Sequence, residues 1–155
     1  MASKAFTSAG SRLYMSSSAP ATYNAQGFTN LTFTEIGEVF EMGEFGRNYN
    51  LVTFNPLSDR RTVKRKGSFN DGTIACQMAR VPSDAGQALL TAGVDSDNSY
   101  SVKIELQDGT IFFTTAQIMS YTTNIGNTDQ ITSATVNLEI DNDILEVPFN
   151  GGATS

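Results

Sequence analysis

The fold class is decided by the stretch YSVKIELQDGTIFF at residues 100–113. Apolar and polar residues alternate from Tyr100 to Leu106, which is the period of a strand with one buried face. Asp108-Gly109 then predicts a two-residue type I′ hairpin turn, because that turn needs positive φ at both positions. The return stretch Thr110–Tyr121 is rich in β-branched and aromatic residues, so it predicts a second strand.

Further strands follow from the same signals on both sides of this hairpin. Residues alternate again from Ala134 to Asp141, and Asn142-Asp143 is expected to turn that strand into a short last one that Pro148 stops. The remaining strands are predicted at Ile36–Arg47 with a bulge near Gly43, at Tyr49–Phe54, at Thr73–Arg80 and at Ile144–Val147.

One helix is predicted, from Asp84 to about Ala92. Asp84 followed by Gln87 fits a variant of the capping box, and Gly93 stands where a glycine commonly follows a helix. With seven or eight strands around this helix, the sequence predicts a mostly β fold, a small β-sandwich or barrel with one flanking α-helix.

The chain divides into three parts by composition. Residues 1–34 are rich in Ser, Thr, Ala and Gly, which predicts a flexible N-terminal arm with one short strand near Leu13 to Tyr23. Residues 35–148 are expected to form the β domain. Residues 149–155 are expected to be a flexible C-terminal tail.

Composition excludes most kinds of catalytic site. The 155 residues, one domain's worth, include no His and a single Cys, Cys76. A Ser-His-Asp triad, a histidine metal site and a cysteine zinc site are therefore absent. Cys76 lies on the apolar phase of its predicted strand, which indicates a buried side chain. We expect no enzyme, no cofactor and no bound metal.

The net charge and the hydropathy of the chain limit the kinds of partner that it can have. The formal net charge is −6 and the sequence pI is about 4.5, which argues against general affinity for nucleic acid. No stretch has the roughly 20 apolar residues that span a bilayer, and residues 1–10 lack the apolar run of a signal peptide. We expect a protein made in the cytoplasm, without a membrane.

Half of the basic residues lie in one short run. It contains Arg60, Arg61, Lys64, Arg65 and Lys66. Nucleic-acid binding is disfavoured, because the run lacks interleaved aromatic residues and the rest of the chain is acidic. Two interpretations remain equally weighted: a solvated loop, or a contact with the acidic surface of another copy, which would let copies stack head to tail.

These features together resemble the major tail (tail tube) proteins of long-tailed, siphovirus-type bacteriophages, over about residues 34–147. The resemblance rests on the order of five pieces, each weak alone. They are the acidic opening strand TEIGEV (34–39), the long polar segment 48–72, the strand 73–80 leading into the helix around QALL (87–90), the hairpin VKIELQDGTIFF (102–113), and the closing strand QITSATVNLEI (130–140).

The resemblance implies a structural protein of the virion tail, assembled in the host cytoplasm. Six copies would form a ring, and rings would stack into the tube through which DNA is ejected without specific binding. Its partners would be itself, the tail tip and tail terminator proteins, and the tape measure protein inside the tube. The polar segment 48–72, with its basic run, would contact a neighbouring ring or subunit. Candidate acidic residues of the lumen are Glu38, Glu41, Glu105, Glu139 and Asp141.

Three alternatives stay open at this point. The first is another part built on the same fold, such as a tail terminator or a secreted tube protein. The second is a small β-sandwich that binds a carbohydrate or peptide, although the chain has no Trp and its Tyr and Phe mostly fall on core phases. The third, an enzyme, is disfavoured by the composition.

Overall fold

The computed structural model describes residues 7–148, which contain ten strands and two helices. Strands account for 46% of these residues and helices for 11%, so the prediction of a mostly β fold is confirmed. The strands are β1 (Arg12–Ser16), β2 (Thr34–Ile36), β3 (Val39–Met42), β4 (Asn48–Phe54), β5 (Val63–Asn70), β6 (Thr73–Ala79), β7 (Tyr100–Glu105), β8 (Ile111–Asn124), β9 (Ser133–Ile140) and β10 (Leu145–Val147); the helices are α1 (Ala25–Thr29) and α2 (Ala85–Val94).

Eight strands form one antiparallel sheet in the order β2-β1-β7-β8-β9-β6-β3, with β10 also paired to β8. The two end strands of this order, β2 and β3, are consecutive in the chain and joined by Gly37-Glu38. The sheet therefore curls until its ends meet at that turn, giving the sandwich-like barrel that the sequence predicts. The strands β4 and β5 form a separate two-stranded sheet.

The core lies inside the curled sheet. The burial of β9 alternates along its whole length, as its sequence pattern predicts. On β6, Ile74, Cys76 and Met78 are fully buried on one face, which is the face expected for them. Leu90 of α2 joins the same cluster, so the helix closes the core.

The predicted helix α2 is confirmed, with a longer C-terminal end. Asp84 is its N-cap and accepts a hydrogen bond from the Gln87 backbone N–H at 3.0 Å. Gly93 lies inside the helix instead of after it. A Cβ at Gly93 would stand 2.4 Å from Cδ1 of Ile118, so close packing against the sheet explains this glycine.

The N-terminal region differs from the expected loose arm over residues 1–34. β1 pairs with both β2 and β7, and Leu13 and Met15 are fully buried. The short helix α1 lies on the opposite face of the sheet, where Phe28 stacks on Phe113 with ring centres 5.1 Å apart. These contacts bury a segment that looks too polar to fold when it is read alone. Residues 1–6 and the predicted tail 149–155 lie outside the described residues.

Two predicted turns have a different geometry. At Asp108-Gly109 only the glycine has positive φ, +94°, and the Gly109 N–H donates to the Leu106 carbonyl at 3.0 Å. This is a type I turn followed by a glycine bulge, not type I′. Asn142-Asp143 does not reverse the chain, because β10 pairs with β8, as β9 does. β9 and β10 therefore lie one after the other along the same strand, β8, and are joined by an irregular link.

The irregularity expected near Gly43 lies earlier in the chain. The predicted strand Ile36–Arg47 is split at Gly37-Glu38, where Glu38 has a φ of +60°. The register of β3 against β6 then shifts between Val39 and Glu41, which leaves Phe40 as the bulged, exposed residue.

Candidate interaction surfaces

The polar segment 48–72 contains a β-hairpin made of β4 and β5. Its register runs from Asn48 opposite Asn70 to Phe54 opposite Val63. Every residue of β4 is exposed, and only two residues of β5 are partly buried. The prediction of a strand at 49–54 is confirmed, whereas β5 was not predicted, because its alternation is hidden by charged residues.

The basic run lies in this hairpin. Arg60 and Arg61 stand in the loop between the two strands, and the other three cations, Lys64, Arg65 and Lys66, stand on β5. Within residues 7–148, none of these five side chains forms an ion pair with a carboxylate. The structure therefore gathers the five predicted contact residues on one exposed element.

Large apolar side chains accompany these cations. Leu57, in the loop, is completely exposed, Leu51 is 67% exposed and Phe54 is 56% exposed. An isolated two-stranded hairpin is only marginally stable in water, and exposed apolar patches of this kind mark surfaces that contact other molecules. Within the described residues, most of the large apolar side chains that are exposed to solvent therefore lie in this hairpin.

A second surface is the outer face of β3, β6, β9 and β8, here called the polar face. The cross-strand pairs Thr73–Glu139, Ala75–Asn137 and Gln77–Thr135 define it, and Gln117 of β8 and Glu41 of β3 continue it on either side. Two hydrogen bonds cross it, from Thr73 to Glu139 at 2.5 Å and from Asn137 to Ser120 at 2.8 Å. Its strand positions include two carboxylates and no lysine or arginine.

The five acidic residues named from the sequence do not all lie on the polar face. Glu41 and Glu139 do. Asp141 adjoins them at the end of β9, where its carboxylate accepts hydrogen bonds from Thr115 at 2.6 Å and from the Ser99 hydroxyl.

The other two acidic residues lie elsewhere. Glu38 is in the turn between β2 and β3. Glu105 is opposite Arg12 of β1 and Ile111 of β8, six positions along β8 from the partner of Glu139. The structure therefore separates Glu38 and Glu105 from the acidic residues of the polar face.

Within residues 7–148 the remaining chemistry is sparse. Burial raises the pKa of the Cys76 thiol to about 12, so this group stays protonated at neutral pH. No group of three or more Cys, Asp or Glu in this part of the chain is placed to hold a metal ion. Neither of the described helices is long and apolar enough to cross a membrane.

The chain is similar to components of tail-like particles among the solved structures. A chain of the anti-feeding prophage (AFP) baseplate, solved with 6-fold symmetry, matches with a TM-score of 0.68 at 10% identity, over 95% of this chain and 97% of that one. Two chains of PVC, an extracellular contractile injection system, match with TM-scores of 0.62 at 11% identity. One is from the sheath-tube complex (89% of each chain) and one from the sheath/tube terminator (88% of this chain and 94% of that one).

The chain has a tail-tube-like fold. At these identities the likeness is one of fold alone. No protein-family profile matches the sequence, and no curated protein sequence matches it either.

Within this tail-tube-like fold, two surface features escaped the sequence patterns. The first is the extent of the hairpin, since Val63–Asn70 was assigned to a polar segment. The second is the polar face as a unit: its residues alternate with core residues in each strand, but only the strand order brings β3, β6, β9 and β8 together. The exposed apolar residues beside the basic run, such as Leu51 and Leu57, were the signal that could have revealed the hairpin.

Proposed function

We propose that this protein is the tail tube protein of a long-tailed bacteriophage. Copies assemble into rings of six, and the rings stack into the tube through which DNA leaves the capsid. The observation that carries the proposal is the β4–β5 hairpin on a tail-tube-like fold, because its exposed apolar and cationic side chains need a partner surface.

The charge distribution supports another copy of the chain as that partner. Residues 48–70 contain five cations and one carboxylate, Asp59, a net charge of +4. The rest of the chain contains five cations and fifteen carboxylates, a net charge of −10. Opposite charges on two parts of one subunit favour a head-to-tail contact, which repeats along a stack. In this proposal Arg60, Arg61, Lys64, Arg65 and Lys66 contact the adjacent ring or subunit.

The polar face supports a role as the wall of a conduit. A surface with carboxylates, amides and hydroxyls and without cations repels a polyanion and offers it no counterion-releasing contact. Glu41, Glu139 and Asp141 are therefore our lumen residues. We leave Glu38 and Glu105 out of the lumen, because they lie away from this face.

Several further roles belong to this proposal. The tube would contact the tail tip and tail terminator proteins at its ends and the tape measure protein in its lumen. It would be located in the virion tail after assembly in the host cytoplasm, and it would have no enzymatic activity.

A second candidate function is a tube terminator or cap. The similarity in fold to a chain of the PVC sheath/tube terminator and to one of the AFP tube-terminating cap favours it. A terminator would form a single ring that does not stack on itself, so the two functions differ in the length of the homogeneous assembly.

Negative-stain electron microscopy of the purified protein over a concentration series tests both candidates. Stacked rings or long tubes with a central channel are expected for the tube protein, and isolated rings for the terminator. A species that remains monomeric at every concentration and salt, as measured by sedimentation velocity, would overturn both.

A further inference from the structure

The β4–β5 hairpin joins the barrel through two glycines. Gly46 precedes it with a φ of +154°, and Gly72 follows it with a φ of +93°. A Cβ at Gly46 would meet no atom within 4 Å, so this position favours glycine for its backbone conformation and not for space. The two connections lie side by side, since the Gly46 N–H donates to the Asp71 carbonyl at 3.2 Å. Both ends of the hairpin therefore have the conformational freedom of a hinge.

Little packing holds the hairpin beyond this hinge. An open cleft of about 560 Å³ lies next to it, lined in part by Phe45, Phe112 and Leu145. The main sheet holds the chain up to Gly72, whose carbonyl accepts a hydrogen bond from the Ile140 N–H at 3.0 Å, but neither strand of the hairpin is hydrogen-bonded to that sheet. Beyond Gly72, the orientation of the hairpin therefore depends on the few side chains that cross from its base to the barrel.

Arg47 makes such a crossing. Its Nε donates to Oδ1 of Asp71 at 3.2 Å, and its terminal nitrogen donates to Oδ1 of Asp143 at 2.5 Å. The guanidinium also lies over the Phe69 ring, 4.1 Å from the ring centre. Asp71 and Phe69 belong to the base of the hairpin, whereas Asp143 belongs to the link between β9 and β10.

The barrel end of this crossing is itself held in place. The Asp143 carbonyl accepts a hydrogen bond from the Tyr23 hydroxyl, and the Asp143 N–H donates to the Asn142 side chain at 2.8 Å. The hairpin end is held too, because the Asp71 side chain is only 8% exposed. A planar guanidinium that donates one hydrogen bond to each of two carboxylates gives a defined geometry that a lysine would not give.

We propose that Arg47 is a latch: by bridging Asp71 and Asp143 it fixes the hairpin in one orientation on the barrel, and without the bridge the hairpin swings about Gly46 and Gly72. The consequence for assembly rests on the proposed function, because a hairpin fixed in advance docks on another copy with less loss of conformational entropy. The latch is thus a positioning device and touches no partner in this role.

The test measures the orientation of the hairpin directly in the monomer. Ser58→Cys in the hairpin loop and Ala88→Cys on the exposed face of α2 take spin labels, while the buried Cys76 does not react. We expect pulsed electron–electron distances between the two labels to form a narrow distribution in the parent protein. Asp143→Asn or Arg47→Gln should at least double its width, and Arg47→Lys should give an intermediate width. Salt at 1 M should broaden the parent distribution but leave that of Asp143→Asn unchanged.

The matched control is Asp129→Asn, which removes the same charge from an exposed carboxylate in the loop between β8 and β9, away from the Arg47 bridge, and should leave the distribution narrow. Equal widths for the parent, Asp143→Asn and Arg47→Gln would overturn the latch. The result does not depend on assembly. A protein that never forms rings but shows the broadening would refute the proposed function and leave the latch standing, whereas normal tubes with no broadening would do the reverse.

Discussion

The double substitution Arg60→Glu with Lys64→Glu tests the role of the hairpin most directly. Both side chains are exposed, and neither makes an ion pair within residues 7–148. The change lowers the net charge of residues 48–70 from +4 to zero, because each substitution replaces a positive with a negative charge. Exposed substitutions of this kind change the free energy of unfolding by at most about 0.5 kcal/mol, so the subunit should keep its fold.

The expected effect on assembly follows from the number of charges reversed. An exposed ion pair contributes about 0.2–1 kcal/mol. Losing two pairs and gaining two repulsive contacts should therefore weaken each contact between copies by about 1–4 kcal/mol. Since about 1.4 kcal/mol is a factor of ten in affinity, the critical concentration for tubes should rise about 5- to 700-fold at low salt.

Light scattering and negative-stain microscopy over a concentration series measure this critical concentration. The conservative pair Arg60→Lys with Lys64→Arg is the matched control, because it keeps the charge and should assemble as the parent does. Raising the salt to 1 M shortens the screening length to about 3 Å, so the difference between the parent and the double variant should shrink there. If the charge-reversed protein forms full-length tubes at the parent's critical concentration in low salt, the hairpin cations do not contact another copy.

Three further predictions concern the barrel and its polar face. In urea titrations, Gly86→Ala should lower the free energy of unfolding by about 1–3 kcal/mol, although alanine favours a helix, because the added Cβ would stand 2.2 Å from the Glu35 carbonyl oxygen. The control Ala88→Gly, at an exposed position of the same helix, should lower it by only about 1 kcal/mol, and a Gly86→Ala protein more stable than the parent would refute this packing. Burial raises the pKa of Cys76 from 9.0 to about 12 in the folded state, so the thiol of the unfolded chain ionises first as the pH rises. The free energy of unfolding should therefore be retained below pH 9 and fall towards pH 12, by about 2 kcal/mol at pH 10.5. Cys76→Ala should lack this part of the fall, and identical pH profiles for the two proteins would exclude a contribution from the thiol. Assembled parent protein should not co-sediment with duplex DNA at physiological salt, whereas Gln77→Lys with Thr135→Lys on the polar face should retain DNA in a salt-dependent way; DNA retention by the parent would contradict a repulsive lumen.

The strands that the sequence predicts well are those whose alternation matches burial in the finished sheet. Tyr100–Leu106 and Ala134–Ile140 have one face in the core and the other outside it, so the period of two is visible in a single segment. The start of the helix α2 is equally local, since Asp84 caps it. The face that α2 buries is not the one that its apolar pattern marks, because the buried residues include Gly86, Gln87 and Gly93, whereas Ala88 is exposed. Each of these elements carries its own signal.

The elements of the N-terminal region depend on partners that are distant in the chain. The short strand predicted near Leu13 to Tyr23 lies at Arg12–Ser16 as β1, and it is stabilised because β2 and β7 flank it on both sides. The helix α1 is five residues long, too short to be stable alone, and depends on the stacking of Phe28 on Phe113. Local composition could not reveal either contact.

The candidate sites divide in the same way. The five basic residues are neighbours in the sequence, so the sequence alone reveals the run, and the structure keeps all five on one hairpin. The acidic set was chosen by strand phase, which assigns a face but not a place along the sheet. Glu105 and Glu139 both point to the outer face, yet Glu105 pairs with the first residue of β8, Ile111, and Glu139 pairs with Gln117 in its middle, and only the pairing register separates them.

The separation of charge in this chain also explains why β5 lacks a strand-like sequence pattern. A strand that packs on its own barrel alternates apolar and polar residues, whereas β5 carries Lys64, Arg65 and Lys66 in succession, so that both of its faces are charged. Such a strand loses little by leaving the sheet and gains nothing by folding onto it. On the polar face the opposite holds: cations are missing from strands that are firmly paired, so the absence of positive charge there cannot be a by-product of weak packing. The charged hairpin adds little stability to the isolated subunit and makes sense when a second copy supplies the complementary surface, whereas a paired face without cations suits the wall of the proposed conduit.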